Sequence, residues 1–166
     1  MQTKERRDCL KDKMEKTGPT KYLCFRLGKS LRKILRYYDA SLSGHNITPT
    51  QLFVFAALAE EDGQKFKELA IRVNMEGSTL TGVLDRMERA GFVERREDPE
   101  DRRSLLIYFS AKARMIIPEV ISTADRIDES IIKQIPEDDF KVFLRVVDRI
   151  GDSDWGSNLI ANSTSL

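Results

Sequence analysis

Four arginines and four carboxylates crowd one short stretch: Arg95, Arg96, Arg102 and Arg103 flank a turn that also holds Glu97, Asp98, Glu100 and Asp101. A bare basic loop repels itself. Interleaved acids pin some guanidinium groups and leave others free to meet an anion. Asp101 and Arg103, two residues apart, are placed for their side chains to lock the turn. Arg102 is then free to reach into the narrow, electronegative minor groove of a DNA duplex. Taken alone, the stretch is only a solvated hairpin tip. A second polar group lies upstream, where Ser78, Thr79, Thr81 and Gly82 interleave with Leu80, Val83, Leu84 and Met87. A major groove admits one helix, and small polar side chains on such a helix can approach base edges. Gly82 costs a helix about 1 kcal/mol relative to alanine, which close approach of backbone to groove would explain. Arg86 and Arg89, with Lys65, Lys67 and Arg72 before them, suit phosphate contacts that fix register without reading sequence. The competing reading of Asp85 and Arg89, at i and i+4, is a surface ion pair.

No other chemistry emerges. There is no paired acid and base, no glycine-rich phosphate loop and no cluster with metal-ligand spacing, so neither an enzyme nor a cofactor is expected. Two cysteines, Cys9 and Cys24, make no disulfide framework, and with His45 as the single histidine a zinc site is not expected. Cys24 is read as a small buried hydrophobe rather than a reactive thiol.

The elements that must position these groups follow from periodicity. Tyr22–Leu42 repeats apolar residues at helical spacing, with Lys29, Arg32, Lys33 and Arg36 on the other side. Ser43–Asn46 breaks it. Thr48 with Pro49 and Gln51 has the reciprocal capping pattern, opening a helix to about Glu60 that is apolar on nearly every side and belongs in a core. Phe66–Val73 and Ser78–Ala90 make two short amphipathic helices joined by about four residues, the helix-turn-helix unit. Gly91 is the expected C′ glycine, with Phe92 closing the cap. The period then shifts to that of strands at Phe92–Arg96 and Ser104–Phe109, a two-stranded wing. Ser110 caps a helix from Ala111 to Ile135, bent or short of one bond at Pro118, and Phe140–Ile150 supplies a last helix.

Length and charge agree with a compact fold. The 166 residues suit one domain with helical extensions. Residues 1–115 carry 23 Lys/Arg against 17 Asp/Glu, and residues 116–166 carry 5 against 10, so a basic portion precedes an acidic one. No apolar run approaches the ~18 residues of a membrane span, and the charged start lacks a secretory pattern, so a cytoplasmic protein with no membrane partner is expected. The expected organisation is a flexible or partly helical arm over 1–21, a folded domain over 22–150 and a mobile tail over 151–166 in which Trp155 docks on the body.

The run Ser78-Thr79-Leu80-Thr81-Gly82-Val83-Leu84-Asp85-Arg86-Met87-Glu88-Arg89-Ala90-Gly91-Phe92-Val93-Glu94-Arg95, followed by Asp98-Pro99-Glu100-Asp101-Arg102-Arg103-Ser104, resembles the MarR family of bacterial transcriptional regulators. The resemblance covers Tyr22 to Ile150, and Thr48–Leu52 looks like the start of the family's second helix. It implies a mainly α fold with a small β-hairpin, a winged helix-turn-helix lobe over 48–112 and dimerisation helices over 22–47 and 113–150. It further implies a homodimer that binds a pseudo-palindromic double-stranded DNA operator, usually as a repressor released by a small aromatic or phenolic anion. Ser78, Thr79, Thr81 and Gly82 match the major-groove positions, Arg102 the wing tip, and Asp101 and Arg103 the residues that hold the wing. By position, Arg26, Lys29, Arg36, Tyr37, Tyr38 and His45 are the candidate ligand contacts. The chain departs from the family after the wing, where Phe109-Ser110-Ala111-Lys112-Ala113 lacks the usual glycine.

Two alternatives stand beside this reading. Leu23-Cys24-Phe25 resembles the reactive-cysteine region of the family's peroxide-sensing branch, but the positions of its tyrosine partners match Pro49 and Leu52, which cannot hydrogen-bond a thiolate. The other is a protein-interaction module that kept the winged fold without binding DNA.

Overall fold

The computed structural model describes residues 18–101 and 103–152. Within them lie six α-helices and a three-stranded sheet, and the described residues divide into two compact units that meet after Ile127 in the chain. Arg102, Cys9, Trp155 and nearly all of the expected arm and tail lie outside the described residues.

Helix α1 spans Leu23–Leu42 after a single 3-10 turn, Pro19–Lys21. Only Leu42 of α1 is fully buried. Leu27, Leu31 and the preceding Tyr22 remain exposed. Cys24 is exposed as well, which corrects the expectation of a buried thiol. Helical period shows which side chains share a face, not what that face meets.

Helix α2, Pro49–Glu60, begins as its sequence requires. The Thr48 hydroxyl accepts the Gln51 N–H at 3.3 Å, and Gln51 Oε1 accepts the Thr48 N–H at 2.9 Å. Leu52, Val54, Phe55, Ala57 and Leu58 are buried, whereas Phe53 is 47% exposed, so α2 is core on most sides and not on all. Phe55 is its centre, with the rings of Phe92 and Phe109 each at 5.5 Å.

The wing has a third strand that the sequence did not announce. Strand β1, Gln64–Lys65, pairs antiparallel with β3, Leu105–Phe109, which pairs on its other edge with β2, Val93–Glu97. The register sets Gln64 and Arg95 on either side of Ile107. Gly63 leads into β1 at φ +84°, donating its N–H to the Ile107 carbonyl at 3.0 Å. A side chain there would begin 2.4 Å from the Tyr108 ring, so only glycine fits.

Helices α3, Phe66–Arg72, and α4, Gly77–Arg89, form the helix-turn-helix. Asn74 turns the chain at φ 50°, a left-handed position that asparagine tolerates. Leu80, Val83, Leu84 and Met87 bury one side of α4. Its end is a Schellman cap: Gly91, at φ +73°, donates to the Glu88 carbonyl at 2.9 Å and Phe92 to Met87 at 2.8 Å. The Ser110 hydroxyl then caps α5, Ala111–Ile132, accepting the Ala113 N–H at 3.1 Å while donating to the Gly91 carbonyl at 2.6 Å. One serine thereby joins the end of α4 to the start of α5, and α5 forms from Ala111 without the family glycine. Helix α5 passes through Pro118 without a break, three residues shorter than expected. The last helix, α6, spans Glu137–Asp152 and leaves Val142, Phe143, Val146 and Val147 exposed.

Candidate nucleic-acid interface

The face of α4 opposite its buried stripe is open. Ser78, Thr79 and Thr81 are exposed, Gly82 is partly exposed, and a methyl group at Gly82 would meet only the mobile end of Arg86 at 3.7 Å. Thr81 donates its hydroxyl proton to the Gly77 carbonyl at 2.8 Å. That leaves its oxygen as an acceptor on an exposed residue, suited to a base amino group.

The surrounding cations fall into two sets. Lys67, Arg86, Arg89 and Arg103 are exposed and have no acidic partner among the described residues. Arg89 donates its Nε to the Asp85 backbone carbonyl at 3.2 Å, not to the Asp85 carboxylate, so the expected i,i+4 ion pair is absent. Lys65 and Arg72 are committed. Arg72 is held by Glu60 at 2.9 Å and Glu61 at 3.0 Å, which ties α3 back to the end of α2. Lys65 lies 3.1 Å from Asp98 of the wing turn.

Asp98 organises that turn. Its carboxylate is 3% exposed and accepts the Glu100 N–H at 2.9 Å, while its own N–H donates to Ser104. The Glu100 N–H and then Lys65 hold the Asp98 carboxyl below the ordinary carboxylate range, and Asp98 in turn raises Lys65. Asp101 accepts the Arg103 backbone N–H at 3.0 Å. The link between them is therefore carboxylate to backbone rather than side chain to side chain, and the Arg103 guanidinium stays available. Arg103, Lys65 and Lys67 line a cleft of about 460 Å³ between the start of α3 and the wing, shared with Glu68 and Asp101.

Three ties were missed in the sequence, one of them made by Arg95, which was read only as a wing arginine. Arg95 leaves β2 to meet α4, 2.7 Å from Asp85, 3.3 Å from Glu88 and 3.4 Å from the Thr81 carbonyl. It fastens the wing sheet to the helix that presents Ser78, Thr79 and Thr81. Asp62 accepts the Phe109 N–H at 2.8 Å and pairs with Arg114 of α5 at 2.5 Å. Gln64 is buried and donates to the carbonyls of Ala57 at 2.6 Å and Glu61 at 2.7 Å, closing the end of α2. The neighbouring Arg96 lies 4.6 Å from the Tyr108 ring centre and pairs with Glu94, which raises its already high pKa. Arg95 and Asp62 act between elements, whereas Gln64 turns back on carbonyls three and seven residues before it.

The six candidate ligand contacts part company. Arg26, Lys29 and Arg36 line one groove of about 390 Å³ along α1. A second crevice of about 400 Å³, between α1 and the start of α2, is lined by Arg32, Leu35, Arg36, Asp39, Pro49 and Thr50. Tyr37 and Tyr38 line neither, and Tyr38 packs against the core. His45 lies 4.0 Å from Glu119 of α5.

Residues 47–105 match the MarR family. The HTH-type transcriptional regulator SarZ of Staphylococcus haemolyticus is 31% identical over 107 residues, which span 64% of this chain and 73% of that protein. The chain belongs to the MarR family. As a MarR-family protein it is a DNA-binding transcriptional regulator that works as a homodimer, and it is not an enzyme. Its fold is also that of the transcriptional repressor CouR bound to a 23-mer DNA duplex (TM-score 0.73, 20% identity, 82% of this chain and 96% of that one). It matches Bordetella bronchiseptica BpsR, described for regulation of its DNA binding by 6-hydroxynicotinic acid, with TM-score 0.76, 17% identity and coverage of 82% and 98%. No helix among the described residues is long and apolar enough to cross a membrane.

Proposed function

We propose that this MarR-family homodimer represses transcription from a pseudo-palindromic operator and leaves it when a small aromatic anion binds. The lobe over 48–112 reads DNA, and the segments 22–47 and 113–150 hold the two copies together. One observation carries the DNA half of this reading: α4 exposes Ser78, Thr79 and Thr81 on a helix whose other side is fixed in the core. Ser78, Thr79, Thr81 and Gly82 enter the major groove, and Lys67, Arg86, Arg89 and Arg103 meet phosphates around it. Lys65 and Arg72 contribute by holding the wing and α3 in place. Arg102 is assigned to the minor groove on the family pattern alone.

The test is selection of duplexes from a random library by the purified protein at low and physiological salt. A two-fold-related motif with half-sites about one helical turn apart is the expected product. Affinity should fall steeply as salt rises, because each phosphate contact releases counterions. Weak, salt-insensitive association with no recovered motif would instead favour the interaction-module alternative.

For the effector, the crevice between α1 and α2 has the better chemistry, an apolar wall of Leu35 and Pro49 beside the Arg36 guanidinium. BpsR, similar in fold and described with 6-hydroxynicotinic acid, is consistent with a ligand of this class. Salicylate is a suitable probe: it should weaken operator binding by the wild-type protein and have little effect on Arg36→Ala. Cys24 keeps a thiol-sensing reading open to trial, since Cys24→Ser would abolish any response of operator binding to peroxide.

A further inference from the structure

The α1–α2 crevice holds an acid as well as cations. Arg32, Leu35, Arg36 and Asp39 line it from α1, with Pro49 and Thr50 from the start of α2. At i, i+3, i+4 and i+7 the four α1 residues share one helix face. Their order along it is cation, apolar side chain, cation, carboxylate. Arg32 and Asp39 lie about 10 Å apart along the axis at 1.5 Å per residue, enough for an aromatic ring between them. Neither arginine pairs with Asp39 or with any other acid among the described residues, although Arg36 and Asp39 are only three positions apart.

Asp39 is poorly placed to stabilise α1. It sits in the last turn of a helix that ends at Leu42, where the backbone dipole presents its negative end and favours a cation. No residue of that turn is basic. The acid therefore costs the helix a little, and it costs a purely anionic ligand more. An aromatic acid lying in the crevice would set an apolar ring edge against the carboxylate and strip its water. A donor at that end of the ring removes the penalty and adds a charge-assisted hydrogen bond.

Resting on the aromatic-anion reading of the same crevice, we infer that it selects aromatic acids carrying a hydroxyl or amino group across the ring from the carboxylate, with Asp39 accepting a hydrogen bond from that group. Arg32 and Arg36 take the ligand's carboxylate, Leu35 and Pro49 flank its ring, and Asp39 reads its far end. Asp39 is thereby a specificity residue: it rejects acids that offer it no donor.

Benzoate and 4-hydroxybenzoate are the probes, titrated calorimetrically into the full chain. The wild type should bind 4-hydroxybenzoate about tenfold more tightly than benzoate, the scale of one hydrogen bond to a charged acceptor. Salicylate, whose hydroxyl lies beside its own carboxylate, should bind as benzoate does. Asp39→Ala should lose the tenfold preference while holding benzoate at least as tightly. It should also melt no lower than the wild type, since the helix loses an acid from its negative end. Asp39→Asn, which keeps an oxygen acceptor without the charge, should retain part of the preference. Equal affinity of the wild type for the two acids would overturn the assignment of Asp39, as would a preference undiminished in Asp39→Ala. In either case, benzoate binding that is lost in Arg36→Ala would leave the crevice standing as the effector site. Failure of all three acids to bind would remove both readings.

Discussion

The winged lobe and helix α1 are built from similar apolar residues and use them differently. In the lobe, Phe55, Leu69, Leu80, Leu84 and Ile107 are fully buried, and each element is fastened to its neighbours by polar ties. In α1, Leu23, Leu27 and Leu31 are between 38% and 58% exposed. The lobe is packed within one copy; α1 carries an apolar face for which a second copy is the proposed cover. Stability of the lobe should therefore be a property of the chain, and order along the exposed face of α1 a property of chain concentration.

The largest expected effect separates these cases at once. Phe55→Ala removes the ring between Phe92 and Phe109 and should cost about 3–5 kcal/mol, seen as a loss in denaturant midpoint that is the same at every protein concentration. Gly63→Ala comes next, since the left-handed backbone and the Tyr108 ring both oppose a side chain; about 1–3 kcal/mol is expected, with near-ultraviolet dichroism reporting the disturbed tyrosine.

Asp98→Asn should have a smaller effect with a pH signature. Because the folded state depresses the Asp98 pKa, the carboxylate stabilises the fold above the ordinary carboxylate range and ceases to do so as pH falls through its folded value. The raised Lys65 contributes below the ordinary lysine range and is lost as pH rises through its folded value. The difference in melting temperature between wild type and Asp98→Asn should thus be level from about pH 5 to pH 9 and close in acid. A gap that persisted at pH 2 would remove the wing ion pair from the account. Leu31→Asp should have the least effect on the lobe, within about 0.5 kcal/mol, yet sedimentation should find monomers where the wild type sediments as dimers. Equal loss of lobe stability would erase the distinction between the two regions.

What the sequence discloses follows the same division. Local signals were legible: the Thr48–Gln51 box, the Gly91 cap and the Ser110 cap each depend on residues within a few positions of one another. The stripe on α4 was legible because four buried side chains repeat at helical spacing. Strand β1 was not, since two residues are too few for an alternating pattern. Arg95 was read as one more wing arginine because its partners Asp85 and Glu88 lie seven to ten residues upstream across a helix end. Helical spacing offered an Asp85–Arg89 pair as the competing reading; the guanidinium that meets the Asp85 carboxylate comes instead from Arg95 of the adjacent strand. Cys24 was placed inside because cysteine is usually buried, a tendency that does not know whether a helix face awaits a second chain.

The Arg95 clasp has a mechanical consequence. By holding β2 to Asp85, Glu88 and the Thr81 carbonyl, it opposes independent movement of the wing strand and α4. Strand and helix thereby behave as one body: a push on β2 is passed to Asp85, Glu88 and the Thr81 carbonyl of α4 rather than spent in bending between them.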